Sequence, residues 1–107
     1  MIEFNSNFWK VFMDGDAILE MDKDTFDESE VMFTEDILCF RSTDQTLFVD
    51  LGYYGKNKKW AIFVVKNNNW ESPLEHIECK NLLSGITKVQ ELLHIYQRRT
   101  IQESKVT

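Results

Sequence analysis

Residues 46–65, TLFVDLGYYGKNKKWAIFVV, limit the possible folds more than any other stretch of the chain. Leu47, Phe48, Val49, Leu51, Tyr53 and Tyr54 make a first arm, and Trp60, Ala61, Ile62, Phe63, Val64 and Val65 a second. Both arms are rich in β-branched and aromatic residues, which suit a pleated surface. Gly55-Lys56-Asn57-Lys58 between them is polar and of hairpin length, with Gly and Asn to absorb a turn. The second arm is apolar at every position, so both of its faces need cover. At the edge of a sheet such a strand would template aggregation. The stretch therefore predicts a hairpin at the centre of an antiparallel sheet.

The other segments read as elements around that hairpin. Residues 1–13 carry Ile2, Phe4, Phe8, Trp9, Val11 and Phe12. Their β-branched and aromatic content favours a strand, although Phe8, Val11 and Phe12 also share a helical face that Asn5-Ser6-Asn7 would cap. Asp14-Gly15-Asp16 is a turn signal. Residues 17–21 then read as a short strand, and residues 22–30 are too acidic for the core, hence a loop or short helical turn. Val31-Met32-Phe33 is apolar again. A strand is expected over 37–40, with a turn over 41–45. Beyond the hairpin, residues 66–69 form a polar loop, and Pro73, lacking an amide hydrogen, marks a break or an edge. Residues 75–80 read as a short edge strand with Ile77 and Cys79 facing one way.

The last element is a helix. Leu82, Ile86, Val89, Leu93 and Tyr96 recur at alternating four- and three-residue steps, and Leu83 and Leu92 widen the stripe. Asn81 or Ser84 is a candidate cap. Gly85 costs about 1 kcal/mol in a helix interior relative to Ala, so the start is free to slip past it. Arg98 and Arg99 are placed in the last turn, where cations suit the macrodipole. Residues 100–107 read as a polar, frayed tail. Strands followed by one amphipathic helix predict an α+β domain spanning 1–107: an antiparallel sheet centred on the 46–65 hairpin, with the C-terminal helix packed on one face.

A single domain is also what 107 residues predict. A domain of that size buries roughly two thirds of its unfolded surface, enough for one core without staples. With 43% hydrophobic and 13% aromatic residues the composition is globular rather than disordered. There is no apolar run of about 18 residues to span a membrane. The opening MIEFNSNFWK has no charged lead, apolar middle or small-residue cleavage site, so a cytoplasmic protein with Cys39 and Cys79 as free thiols is expected. The net charge of −6 argues against nucleic acid or an anionic membrane as the main partner, because phosphate contacts need Lys and Arg.

Between residues 14 and 36 stand Asp14, Asp16, Glu20, Asp22, Asp24, Asp27, Glu28, Glu30, Glu35 and Asp36, against Lys23 alone. Charges this dense repel one another. The run is either a solvated loop surface or a surface shaped for a cationic partner, which it would steer and select. Calcium is excluded as an EF-hand ligand: from Asp14 the fifth and sixth positions are Ile18 and Leu19, and from Asp22 the fifth is Phe26. Zinc is disfavoured because Cys39, His76, Cys79 and His94 offer one close pair only. No metal or cofactor is expected. Nor is catalysis: His76 and His94 carry no spacing signature, neither cysteine has a local base, and Ser84-Gly85 is not a nucleophile elbow. Trp60 belongs to the core, whereas Trp70, after three asparagines and beside Glu71 and Pro73, has the composition of a binding hot spot. The candidate partner-binding residues are thus Asp14, Asp16, Asp22, Asp24, Asp27, Glu28, Glu30, Glu35, Asp36 and Trp70.

Residues 46–54, 59–65, the WESPLEHIEC stretch and residues 82–98 together resemble the small bacterial immunity proteins that neutralise toxins of contact-dependent growth inhibition and related polymorphic toxin systems. The resemblance implies a cytoplasmic, non-enzymatic protein that binds a cognate nuclease toxin domain and blocks its basic active site or substrate path. It transfers no binding residue. The acidic candidates rest on charge alone. Two alternatives stand beside it: another acidic interaction module, such as a phage anti-restriction or anti-CRISPR mimic of nucleic acid, and a small ligand-binding domain.

Overall fold

Among the described residues, β1 (Trp9–Asp14), β2 (Leu38–Ser42), β3 (Leu47–Tyr54), β4 (Lys59–Lys66) and β5 (Glu75–Cys79) form one antiparallel sheet in sequence order, and α1 (Leu82–Val106) packs on it. This is the architecture of the computed structural model, which describes residues 1–15, 17–30 and 37–106. The apolar stretch Val31-Met32-Phe33 and the candidates Asp16, Glu35 and Asp36 lie outside the described residues, as does the side chain of Glu30.

The expected hairpin is the β3–β4 pair, in register from Leu47↔Lys66 to Tyr54↔Lys59, and β3 is the middle strand. Gly55 at φ +86° and Lys58 at φ 47° make its turn, closed by Lys58 N–H donating to Gly55 O at 3.2 Å. Alternation then decides the layers. Leu38, Phe40, Val49, Leu51, Ile62 and Val64 form one buried face, on which the Ile86, Val89, Leu93 and Tyr96 stripe of α1 lies. The indole Nε1–H of Trp9, fully buried in this layer, donates to Leu93 O at 3.2 Å. The same alternation sends Cys39, Phe48, Asp50, Phe63 and Val65 to the opposite face.

α1 begins at Leu82 and keeps Gly85 inside it. Both cap candidates act together: Asn81 Oδ1 accepts from Ser84 N at 2.8 Å, and Ser84 Oγ accepts from Asn81 N at 3.1 Å. Glycine has a packing reason here. A Cβ on residue 85 would lie 2.9 Å from a Leu51 methyl and 3.6 Å from Cys79 Sγ, so its absence lets α1 sit close to the sheet.

Two local expectations are corrected, and a third, the strand expected in residues 1–13, is borne out over a shorter span. Residues 17–21 are not a strand; Ile18–Glu20 is a single 3-10 turn. The Asp14 carboxylate accepts the amides of Ile18 at 2.7 Å and Leu19 at 3.1 Å, offering the backbone an alternative to a ladder. The tail expected to fray from Thr100 is helical through Val106, which leaves Arg98 and Arg99 in the helix interior rather than its last turn. Polarity there marks the end of the core-facing stripe, and no Gly or Pro follows to stop the helix. In residues 1–13 the strand starts at Trp9, after a turn in which the amides of Phe8 and Trp9 both donate to Asn5 O.

Candidate functional site, the aromatic face of the sheet

Among the described residues, the face of the sheet away from α1 is aromatic, and Phe12 and Trp70 on it are exposed. Its own small cluster is Cys39, Phe48 and Val65, with Phe63 packed against it. Phe12 and Trp70 stand over Phe48, each with its ring centroid 5.6 Å from the Phe48 ring, Phe12 edge-on and Trp70 tilted. Tyr54 meets Phe63 edge-on at 5.2 Å, and Phe63 stacks on His76 at 4.4 Å. The rings thus form two groups on this face, Phe12–Phe48–Trp70 and Tyr54–Phe63–His76.

Two backbone devices put the outer rings there. Between β1 and β2 the register passes from Val11↔Phe40 to Met13↔Cys39, so Phe12 is the extra residue of a bulge. A bulge bends its strand and re-aims a side chain, and here it brings Phe12 over Phe48. After β4, Asn67 and Asn68 take left-handed conformations, φ 55° and 59°. Asparagine tolerates that region better than most residues. The chain reverses, Asn67 N–H bonds Thr46 O at 2.8 Å and Trp70 N–H bonds Asn68 O at 3.0 Å, and the indole falls back onto the sheet.

Between these rings is a cavity of about 390 Å³. Phe12 and Trp70, 55% and 46% exposed, form its rim, and Cys39 and Asp50, both buried, its floor. Asp50 is only 1% exposed and accepts the Tyr54 hydroxyl hydrogen. A carboxylate taken from water needs hydrogen bonds to offset its lost hydration, and the tyrosine supplies one. Alongside the cavity the Arg41 guanidinium lies 5.3 Å from the Phe12 ring centre. His76, exposed on this face, and His94, exposed on α1, do not share a site. Neither Cys39 nor Cys79 is joined in a disulfide, and burial raises the Cys79 pKa. Among the described residues no three of His, Cys, Asp and Glu converge on a metal position, and no helix is long and apolar enough to cross a membrane.

The acidic candidates occupy a different place. Ile18 is in the core under α1, and Leu19, Met21 and Phe26 pack against it, so this loop belongs to the helix side of the sheet. Several of its carboxylates accept hydrogen bonds from the backbone. Asp14 holds the 3-10 turn, as described above. Asp22 accepts Asp24 N–H at 2.9 Å. Asp27 accepts the Ser29 hydroxyl at 2.7 Å and the Ser29 amide at 3.0 Å, and these two bonds, the hydroxyl first, hold its pKa below the usual carboxylate range. Glu28 accepts the Leu82 amide at the start of α1. Glu30 has its backbone in the 3-10 turn Glu28–Glu30. Asp22, Asp24 and Asp27 are exposed. Trp70 is on the other face, so the structure does not join it to these acids in one surface.

Sequence reasoning missed Phe12, Phe48, Asp50 and Tyr54 as a group. One signal was present: Asp50 is a lone carboxylate inside an otherwise apolar arm, and its strand parity places it opposite Val49 and Leu51. Comparison with models of protein families, with curated proteins and with solved structures gave no match.

Proposed function

We propose that this chain acts by binding a protein, as an immunity protein that neutralises a cationic, nuclease-type toxin domain, and that the aromatic sheet face is its contact surface. The observation that carries the reading is the exposed pair Phe12 and Trp70 set around Phe48 on an acidic chain. Aromatic anchors at the centre of a patch are what a tight interface is built on, and a net charge of −6 favours a basic partner and speeds its encounter. The exposed Asp22, Asp24 and Asp27 on the far side add to the long-range field without touching the partner.

The test is co-expression in bacteria with the toxin domain encoded next to this chain, scored as survival. Wild-type chain should protect, and Trp70→Ala should protect less. A wild-type chain that gives no protection overturns the reading. A second reading, a small-ligand-binding domain, is favoured by the cavity, whose volume of about 390 Å³ falls within the roughly 300–1,000 Å³ of ligand sites.

A further inference from the structure

We infer that the turn end of the β3–β4 hairpin is a phosphate site, in which Lys58, Lys59 and Lys80 surround one cavity and take a phosphate group carried on a small molecule. The inference goes beyond the protein-binding reading above and does not depend on it.

Strand pairing gathers these lysines from two separate stretches of the chain. The β4–β5 ladder reaches Trp60↔Cys79, and one step outward from that pair come Lys59 and Lys80. Lys58 precedes them in the turn, and all three, each exposed, line a cavity of about 250 Å³. Like charges set against each other across strands are destabilising. With 18 acidic residues for 12 basic ones, the chain has carboxylates enough to neutralise every lysine. Among the described residues, Lys58 and Lys80 nevertheless take part in no ion pair. Lys59 has Glu78 at 3.3 Å, but both side chains are more than half exposed, where such pairs are worth little. Glu28 is the one acid in the lining, and its carboxylate is bonded to the Leu82 amide. The cavity is therefore left positive, and an anion between the lysines turns their repulsion into attraction.

This corner already seats one oxyanion from within the chain. Glu28 bonds the first amide of α1, at the positive end of the helix dipole. The lysines decide which further anion is taken. An ammonium is a compact point charge with three donors and an established binder of phosphate. A planar carboxylate is best held by the fork of an arginine, and the described lining has none. Three ammonium groups around one opening suit an anion whose oxygens point apart. The net charge of −6 repels a long polyanion, so a single phosphate on a small molecule fits better than a nucleic-acid strand.

The test titrates the full-length chain with ribose 5-phosphate and, in parallel, with ribose and with sodium chloride at matched ionic strength. The readout is the backbone amide resonances of Lys58, Lys59 and Lys80. Ribose 5-phosphate should shift them saturably in the millimolar range, as suits an exposed site with few contacts. Neither ribose nor chloride should. Lys58→Asn and Lys80→Gln together should weaken binding at least about tenfold. Asparagine tolerates the left-handed φ of 47° that Lys58 adopts, so the turn should keep its shape. Lys10→Gln with Arg98→Gln, an equal loss of charge outside the cavity lining, should leave the affinity within about twofold. If the first double variant does not fold, Lys80→Gln alone, between β5 and α1, takes its place with a loss of at least about threefold. An absent or unsaturable shift, an equal shift by chloride, or equal weakening by the two pairs of substitutions overturns the inference. So does a single-stranded oligonucleotide or a phosphatidylglycerol vesicle that binds these lysines more than about tenfold tighter than ribose 5-phosphate, since the phosphate would then belong to a polymer or a membrane. No toxin enters this titration, so its outcome and that of the survival assay stand or fall separately.

Discussion

The Glu28 carboxylate accepts the hydrogen of the Leu82 amide, so the acidic loop caps α1 from 54 residues upstream. The first turn of α1 has no acidic residue of its own. Glu28 supplies both an acceptor for an otherwise unbonded N–H and a negative charge at the positive end of the helix. Glu28→Ala should therefore cost about 1 kcal/mol, the usual worth of a helix cap. Glu28→Gln, which keeps an acceptor but not the charge, should cost less. Urea denaturation checks both. Stabilities of both variants within about 0.5 kcal/mol of wild type, the range of ordinary surface changes, would show that Glu28 is only a solvated charge.

Gly85 sets two effects against each other. Replacing it by Ala gains about 1 kcal/mol of helix propensity. The new methyl would sit 2.9 Å from Leu51, which is fully buried between β2, β4 and the helix and has little room to move. Overpacking of that kind costs about 1–3 kcal/mol. The clash should win, so Gly85→Ala should be destabilising and Gly85→Val more so. In a Leu51→Ala background the order should reverse, with Gly85→Ala restoring stability by filling the space. Thermal unfolding of the four chains of this double-mutant cycle decides it; a stabilising Gly85→Ala in the wild-type background would refute the close approach.

Tyr96 gives an alkaline limit to stability. Burial first, and then the hydrogen bond it donates to Glu75 and that group's charge, push its pKa up to about 12 from 10.0, against the opposing pull of Arg99. The folded state thus binds the phenolic proton more tightly than the unfolded chain does. Its contribution is complete below about pH 10 and is lost as pH rises from there through about 12. The melting temperature of wild type should fall more steeply over that window than that of Tyr96→Phe, which has no proton to lose. Parallel slopes would show that Tyr96 is not coupled to folding.

The parts of this architecture that were legible in the sequence are those written in local periodicity. The 46–65 hairpin and the Leu82 to Tyr96 stripe each declare their own period, and packing one on the other follows from the apolar faces they share. The aromatic face was not legible, because it depends on a bulge at Phe12 and a left-handed pair at Asn67 and Asn68. Those are matters of register and backbone sign that composition does not encode. The acidic run is a different case. Charge can be counted in a sequence, but which carboxylates also bond the backbone, as Asp14, Asp27 and Glu28 do, depends on where the chain turns. The end of α1 was misplaced for a related reason, since loss of the apolar stripe after Tyr96 ends packing rather than the helix.

The separation of Trp70 from the acids yields a kinetic prediction that distinguishes them. Trp70 lies on the aromatic face and Asp22 and Asp24 on the α1 side. If the partner docks on the aromatic face, Trp70→Ala removes part of the anchor and should raise the dissociation rate, with a cost of about 2 kcal/mol or more. The association rate should hardly change. Asp22→Lys and Asp24→Lys together should do the opposite. They leave the contact intact but weaken the field, slowing association at low salt, and the effect should vanish as screening shortens to about 8 Å near physiological ionic strength. Asp27 is left out because its carboxylate holds Ser29, and reversing it would confuse a lost turn with a lost charge. Surface plasmon resonance at two salt concentrations separates the two rates, with Arg98→Glu on the exposed side of α1 as a control of opposite sign that should quicken association at low salt. The opposite pattern, a dissociation rate governed by Asp22 and Asp24 and indifferent to Trp70, would move the interface to the acidic side and take the aromatic face out of it.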